Sequence, residues 1–381
     1  MFAVYVNWHY NDCMRKTFKY RIYLQNGQRR SLNTMLEECR WVYNQTLEAR
    51  EFAYEQRIKC GLYDTQAMLP GWKESRPSLK RVHSQVLQNV QVRVDLAFQA
   101  FFRRVKEGTE EVGYPRFKGF GRYDSITYPQ YGNGVRLDGD RLILSKVGAV
   151  HVVLHQPIEG AIKTVTLRRA RTGKWYASFS CEVEPERLPP HMAVVGVDMG
   201  LESFLTTSDG SKVDHPRFYR RDEADLKRVQ KRKDAAKNAQ KWDEHRRRKK
   251  ALAHIHERIA NRRADFAHKQ SRILVERYQV IAFEELEPQH MGRTRGMRKS
   301  IRDAAWSQLI QYTCAKAEEA GRTVVLVNPR NTSKMCSRCG ELVEKDVRVR
   351  VHECPYCGLV LDRDQNAAIN ILRLGLHNLR L

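Results

Sequence analysis

Acidic residues are under-represented in this chain of 381 residues, with 44 Asp and Glu set against 68 Lys and Arg. Long apolar runs are missing too. None approaches the roughly 18 residues that a membrane-spanning helix needs, so no membrane partner is expected. Met1 to Cys13 mixes aromatic and polar residues, with no basic segment leading into an apolar one, and no secretory signal is expected. No internal repeat or low-complexity tract stands out. A disulfide framework is also lacking. Of nine cysteines, Cys13, Cys39, Cys60, Cys181 and Cys314 are scattered singly and four are clustered, the pattern of a reducing compartment and a metal site.

What is present is a surplus of bases. A formal net charge of +24 calls for a polyanion, because contact with phosphates releases counterions. An acidic membrane surface is the other candidate, but no amphipathic anchor or lipidation signal supports it.

Along the chain, Lys16 to Tyr23 alternates basic and apolar residues as a strand does. Leu32, Met35, Leu36, Cys39, Tyr43 and Leu47 recur at helical spacing, as do Val82, Val86, Val90, Val94, Ala97, Phe98 and Phe101. The second helix places Lys80, Arg81, Arg93, Arg103, Arg104 and Lys106 where they can follow a phosphate backbone. Short strands punctuated by turns run from Val135 to Val183 and predict a small barrel or sandwich. From Arg220 to Tyr278 the pattern predicts long helices dense in Lys and Arg, interrupted near Asn238. Gly292 to Ser300 reads as a basic, flexible loop, followed by a helix from Asp303 to Gly321. A last helix is expected from Asp364 to about Leu374. Tyr114, Phe117, Tyr123, Tyr128 and Tyr131 are aromatics that either stack on bases or pack in the barrel.

Two constellations carry chemistry. Cys336-Ser-Arg-Cys339 and Cys354-Pro-Tyr-Cys357 are paired knuckles separated by fourteen residues. Four thiolates suit the tetrahedral preference of zinc better than an iron–sulfur cluster, and a fully protein-filled shell makes one structural Zn²⁺ rather than a catalytic ion. Gly340 and Gly358 follow the knuckles, where the turn requires positive φ. The second constellation is acidic. Asp198 and Glu284 end apolar strands of the kind covered on both faces, and Asp364 opens the last helix. Brought together, their oxygens would hold two Mg²⁺ ions about 4 Å apart for phosphodiester hydrolysis. Glu284 and Glu285 fall on opposite faces of their strand, so only one of them can point at the metals.

Gly196-Val-Asp-Met-Gly, Ile281-Ala-Phe-Glu-Glu-Leu, Asn328-Pro-Arg-Asn-Thr-Ser-Lys-Met-Cys-Ser-Arg-Cys-Gly and Asp362-Arg-Asp-Gln-Asn-Ala-Ala-Ile-Asn-Ile occur in this order. Together they closely resemble the TnpB (OrfB) proteins of insertion sequences, compact relatives of type V CRISPR effector nucleases. Lys19-Tyr-Arg-Ile-Tyr, Ser84-Gln-Val-Leu-Gln, Gly113-Tyr-Pro-Arg-Phe-Lys and Gly173-Lys-Trp-Tyr extend the match upstream, so that it runs from about residue 15 to the C-terminus.

The resemblance implies an α/β multidomain protein. An RNase H-like (RuvC) nuclease domain with an inserted zinc ribbon would follow a β-barrel wedge domain that carries a helical recognition insert. The implied boundaries are 1–26 and 113–190 for the barrel, 27–112 for the insert, 191–332 and 361–381 for the nuclease, and 333–360 for the ribbon. The implied activity is RNA-guided cleavage of double-stranded DNA. The guide comes from the transposon end, the protein reads a short flanking motif, and a monomer works within a ribonucleoprotein. The expected location is the cytoplasm of a bacterium or archaeon, in association with the nucleoid. By motif, the catalytic acids fall on Asp198, Glu284 and Asp364, not on Asp362. A strand-transferring transposase using the same two-metal core, and a catalytically silent RNA-guided DNA-binding regulator, are the alternatives. The first fourteen residues precede the usual start of the family, and Tyr23-Leu-Gln-Asn-Gly-Gln replaces its commoner Tyr-Pro turn.

Overall fold

A computed structural model describes residues 13–108, 112–286, 295–346 and 349–380. Residues 1–12, most of the stretch preceding the usual family start, lie outside it. Two compact units emerge, Cys13–Glu184 and Pro185–Leu381.

The first unit opens with β1 (Met14–Tyr23), whose alternation buries Phe18, Tyr20 and Ile22. The chain then leaves the sheet for α1 (Asn26–Glu55), the short helices α2 (Leu62–Ala67) and α3 (Leu69–Ser75), a 3₁₀ turn at Pro77–Arg81, and α4 (Ser84–Lys106). It returns as β2 (Ser125–Tyr128), β3 (Val135–Asp138), β4 (Arg141–Leu144), β5 (Gly148–Val153), β6 (Ala161–Arg169) and β7 (Trp175–Val183). The seven strands form one antiparallel, nearly closed barrel sheet in the order β2-β6-β7-β1-β5-β4-β3. In β7 every second side chain from Trp175 to Val183 is buried, the period-two signature of a strand with one face in a core. The helices are an insertion between two strands of that sheet. Leu32, Met35, Leu36, Cys39, Val42 and Leu47 on α1 meet Val86, Leu87, Val90 and Val94 on α4 in the same core.

One sequence expectation changes here, and one open alternative is decided. Arg93 does not face a phosphate backbone, because its guanidinium donates to the Tyr123 and Ser125 hydroxyls and to Thr127 Oγ1, pinning α4 to β2. Tyr123 and Tyr128 are buried in the barrel core rather than presented for stacking, and the Tyr131 hydroxyl accepts the Leu137 N–H. Tyr114 and Phe117 are exposed.

The second unit holds β8 (Val194–Asp198), β9 (Ser203–Thr207), β10 (Lys212–Asp214), β11 (Val280–Glu284) and β12 (Thr323–Val327) in one sheet, ordered β10-β9-β8-β11-β12. β8, β11 and β12 run parallel, and β9 and β10 complete the sheet antiparallel. Between them come α5 (Phe218–Asn238), α6 (Trp242–Arg277), α7 (Arg295–Ala304) and α8 (Trp306–Ala320). The small hairpin β13 (Val351–Glu353) and β14 (Val360–Asp362) leads into α9 (Arg363–Leu379). The break expected near Asn238 lies between α5 and α6, where Gln240 takes a left-handed φ of 54°.

The expected loop up to Ser300 is instead helical from Arg295, while residues 292–294 lie outside the described residues. Ile301 and Ala304 are buried in the core of the unit, and that docking overrides a locally basic sequence with little apolar content. The expected helix from Asp303 is split at Ala305, whose φ of 55° separates α7 from α8. Among the described residues no helix is long and apolar enough to cross a membrane.

Strand alternation divides the central sheet into two faces. Val195, Val197, Ile281, Phe283 and Val324 join a core with Leu274 and Val275 of α6 and Trp306 and Leu309 of α8. Val280, Ala282, Val325 and Val327 face Ile371 of α9 instead.

Candidate active site and cysteine cluster

The same alternation places the acids. Asp198 shares its parity with Val194 and Gly196, and Glu284 shares its parity with Val280 and Ala282, so both carboxylates belong to the α9 face of the sheet. The parallel register pairs Ala282 with Gly196 and Phe283 with Val197. Asp198 and Glu284 therefore finish adjacent strands at one carboxyl-terminal edge, the edge where parallel sheets place their ligands.

Helix α9 supplies the third acid by lying very close to the sheet. A Cβ built on Gly196 would sit 2.0 Å from the Ala368 carbonyl oxygen and 2.6 Å from the Leu372 nitrogen. At the far end of the helix, a Cβ on Gly375 would sit 2.6 Å from that of Ala282. Both contacts require glycine, and they bring Asp364, in the first turn of α9, to the edge holding Asp198 and Glu284. Gly196→Ala is expected to push α9 off the sheet and cost about 1–3 kcal/mol, the usual range for overpacking. A lowered melting temperature together with lost cleavage would show it. An unchanged melting temperature would mean that the helix is not seated through this contact.

The acids act on one another as neighbouring charges, while among the described residues the four cysteines are the group whose ligand atoms close to metal-binding distance. The pKa of Asp198 is raised well above the ordinary aspartate value, first by burial and then by the negative charges of Glu284 and Asp364. Glu284 is buried, and burial raises its pKa, partly offset by the Thr332 hydroxyl that donates to Oε1. Glu285 has the opposite parity. It is exposed, and its N–H bonds to the Val327 carbonyl as an extension of the ladder. Of the two adjacent glutamates, Glu284 is the one on the acid face.

Asp362 is occupied elsewhere. Its Oδ1 caps α9 by accepting the N–H groups of Asp364 and Gln365, both at 3.1 Å, and Lys212 Nζ lies 2.8 Å from Oδ2. Asp364 receives the Arg363 guanidinium on Oδ1 at 2.9 and 3.1 Å, and Arg350 Nη1 stands 3.9 Å from Oδ2. A carboxylate set of this kind offers hard oxygen donors to divalent cations such as Mg²⁺.

The cysteines are gathered more tightly. The Sγ atoms of Cys336, Cys339, Cys354 and Cys357 all lie within 4.8 Å of one another, and the 336–357 and 339–354 pairs are 3.6 Å apart. Sulfurs about 3.8 Å apart are what Zn–S bonds of about 2.3 Å in a tetrahedron require. The two knuckles repeat one design. Gly340 N–H bonds to the Cys336 carbonyl and Gly358 N–H to that of Cys354, each at 3.0 Å. Both glycines have positive φ, 82° and 68°. Burial raises the pKa of Cys336, but the N–H groups of Cys339 and Arg338 together with His352 and Cys357 bring it down to about 5, while Cys339 and Cys357 are shifted up, so one sulfur of the set is favoured as the thiolate that a metal binds.

Thr332, Asn366, Asn370 and Arg373 were given no role from sequence, yet they join the two centres. Asn366 accepts the Ser337 N–H at 2.9 Å and donates to the Met335 carbonyl at 2.8 Å. Asn370 donates to the carbonyls of Thr332 and Met335, at 2.9 and 2.7 Å, and Arg373 donates to that of Ser337. Their spacing along α9, four residues and then three, was a visible signal, since it puts three polar groups on one helical face.

Comparison with known proteins agrees with this layout. A family model described as "Probable transposase" (OrfB of IS605) matches residues 178–295, and a Cas12f1-like TNB domain model matches residues 306–371. A model described as a helix-turn-helix domain matches residues 14–59, which here fold as β1 followed by the single long helix α1. A candidate RNA-guided DNA endonuclease of Streptomyces pristinaespiralis is 33% identical over 375 residues, covering 95% of this chain and 90% of its own. The chain belongs to the TnpB (OrfB) family.

TnpB relatives elsewhere include InsQ of Escherichia coli K12, named as a candidate RNA-guided DNA endonuclease, at 27% identity with 94% of this chain and 92% of InsQ covered. Among solved structures, Cas12f1 in a complex with sgRNA and target DNA superposes with a TM-score of 0.55 at 14% identity, over 94% of this chain and 99% of that one. A mini RNA-guided endonuclease, CRISPR-Cas_phi3, reaches 0.56 at 8% identity, over 95% and 92%. The TnpB chain therefore has a Cas12-like fold.

Proposed function

We propose that this protein is an RNA-guided DNA endonuclease of a transposable element, cutting double-stranded target DNA beside a short flanking motif that the protein itself reads. The observation that carries the reading is the placement of Asp198, Glu284 and Asp364 at one sheet edge, in a chain 33% identical along nearly its whole length to a protein named as a candidate RNA-guided DNA endonuclease.

In this reading the unit from Pro185 onward is an RNase H-like (RuvC) nuclease with the cysteine cluster as its inserted zinc ribbon. The sheet order and the acid-bearing strand ends support that assignment. The barrel is the wedge, and the helices between β1 and β2 are the recognition insert. Two bound Mg²⁺ ions would activate water and stabilise the leaving 3′-oxygen. Asp198, Glu284 and Asp364 would hold them, and Asp362 would keep α9 oriented as its cap. Arg363, paired with Asp364, and Arg350, whose nearer partner is Glu202, put basic groups beside the acids. Zn²⁺ on the four cysteines is structural.

Sequence reading is left to base pairing, and the basic surface grips nucleic-acid backbones. Lys231, Arg232, Lys237, Lys241, Arg247, Lys249 and Lys250 on and between α5 and α6 are exposed and make no salt bridge among the described residues, as expected of a phosphate-binding face. The working form is a monomer with its guide, in the cytoplasm.

RNA that copurifies with the full chain tests this directly. Sequencing is expected to return one structured species ending in a variable segment, and changing that segment should redirect cleavage. Protein that purifies without RNA and still joins or cuts DNA would point to a transposase instead.

A further inference from the structure

The segment from Asn328 to Ser337 connects β12 to the first cysteine knuckle, and it is held from two sides. Asn366, Asn370 and Arg373 of α9 bind the carbonyls of Thr332, Met335 and Ser337 and the N–H of Ser337. Both partners of the Asn370 amide nitrogen are carbonyl oxygens, so the orientation of that side chain is determined. On its other side, the segment reaches Glu284 through a single hydroxyl. Thr332 Oγ1 has Glu284 Oε1 and the Pro329 carbonyl, at 3.0 Å, as possible acceptors. One hydroxyl donates one proton, and an ionised carboxylate is the stronger acceptor. With Glu284 charged, the proton therefore goes to Oε1, which leaves Oε2 to serve the acid face. Thr332 and Glu284 are 2% and 7% exposed, too enclosed for solvent to take over that bond.

We propose that Thr332 is the positioning residue for Glu284: its hydroxyl fixes Oε1 so that Oε2 is presented to the divalent cations, and the α9 clamp holds the hydroxyl in place. The inference rests on the nuclease reading of the acids. It adds that the loop carrying the first cysteine knuckle sets the geometry of an acid on a different strand. Removing the hydroxyl leaves a buried carboxylate oxygen without a donor and frees the carboxyl group to rotate about its last torsion, which is soft. Residues that orient a metal-binding carboxylate typically cost about 10–100-fold in metal affinity or activity when they are lost.

The test uses the full chain with its copurified RNA and compares Thr332→Val, Thr332→Ala and Thr332→Ser. Mn²⁺ binding is followed by calorimetry or spin resonance, alongside the Mg²⁺ dependence of cleavage, the zinc content and the melting temperature. The valine and alanine variants are expected to keep their zinc and to bind Mn²⁺ about 10–100-fold more weakly. Their cleavage should recover in part at high Mg²⁺, and the serine variant should restore affinity. Wild-type Mn²⁺ affinity in whichever hydroxyl-free variant folds overturns the proposal. So does a serine variant that fails as badly as valine with its zinc intact. Asp198→Ala in parallel separates the two levels: if it cuts normally the nuclease reading itself fails, and if only the Thr332 variants behave as wild type, positioning alone fails.

Discussion

Replacing Asp198 with asparagine is expected to abolish cleavage and, in the same protein, to raise the melting temperature of the metal-free form. The first effect follows from the loss of a charged oxygen donor at the point where Asp198, Glu284 and Asp364 meet. An amide of the same shape cannot balance a divalent cation against a phosphate, and removal of one essential group in a hydrolase costs roughly 10³-fold or more. The second follows from the sign of the pKa shift. Burial and two neighbouring carboxylates raise the Asp198 pKa in the folded protein. The folded state then holds that proton more tightly than the unfolded state does. This contribution to stability is present below the ordinary aspartate pKa and is lost as pH rises toward and through the raised value. Above that raised pKa and without divalent cations, wild type carries a partly enclosed charge repelled by its neighbours that asparagine lacks. Relief of each kcal/mol should appear as roughly 2–4 °C in melting temperature for a unit of this size. Mg²⁺ should raise the melting temperature of wild type and leave that of Asp198→Asn nearly unchanged. An asparagine variant that melts lower than wild type would mean that its lost cleavage reports misfolding, and the assignment of Asp198 to a metal site would lose its support.

Much of the layout was legible because local pattern and tertiary burial coincide. The alternation in β1 and β7, the helical spacing of Leu32 to Leu47, and the interruption near Asn238 all describe which face a segment buries, and the structure uses those faces. The positions of Asp198, Glu284 and Asp364 in the fold were readable for a related reason. Each ends a strand or opens a helix, and strand parity separates Glu284 from Glu285 before any coordinates are known. What sequence did not give was the partner across the fold. Arg93 looks like one more surface cation on α4, and only the arrival of β2 turns it into a donor to three hydroxyl groups. Tyr128 has the composition of a stacking residue, and only closure of the barrel buries it. Arg295 to Ala304 is too polar to announce a helix, and it is held by docking Ile301 and Ala304. Thr332 lies in a loop with no periodicity, so its bond to Glu284, 48 positions earlier, has no local signal at all.

Removing the metal from the cysteine cluster is expected to reach the acid site through the same loop. Structural zinc supplies folding free energy outright, on the order of 10–16 kcal/mol in small isolated fingers. The segment between Cys336 and Cys357 offers little to replace it. Its knuckles are held by four backbone bonds of 2.9–3.0 Å and its hairpin by three residue pairs, with His352 a buried side chain between them. With Cys336→Ser and Cys354→Ser together, or with wild type stripped by a chelator, zinc content should fall from one per chain to none. Amide protection should disappear from Cys336 to Leu361 first. The unit from Cys13 to Glu184 should keep its protection, because it has its own core. Cleavage should then fall by at least the roughly 10–100-fold expected for a misplaced Glu284, because Met335 and Ser337, which α9 grips, flank Cys336. The order of events distinguishes this from general unfolding. Protection at Asn328 to Met335 should be lost together with the knuckles and before that of β8 and β11. If those residues stayed protected and cleavage persisted in zinc-free protein, the cluster would be a separate module, and the path from Cys336 through Thr332 to Glu284 would carry nothing.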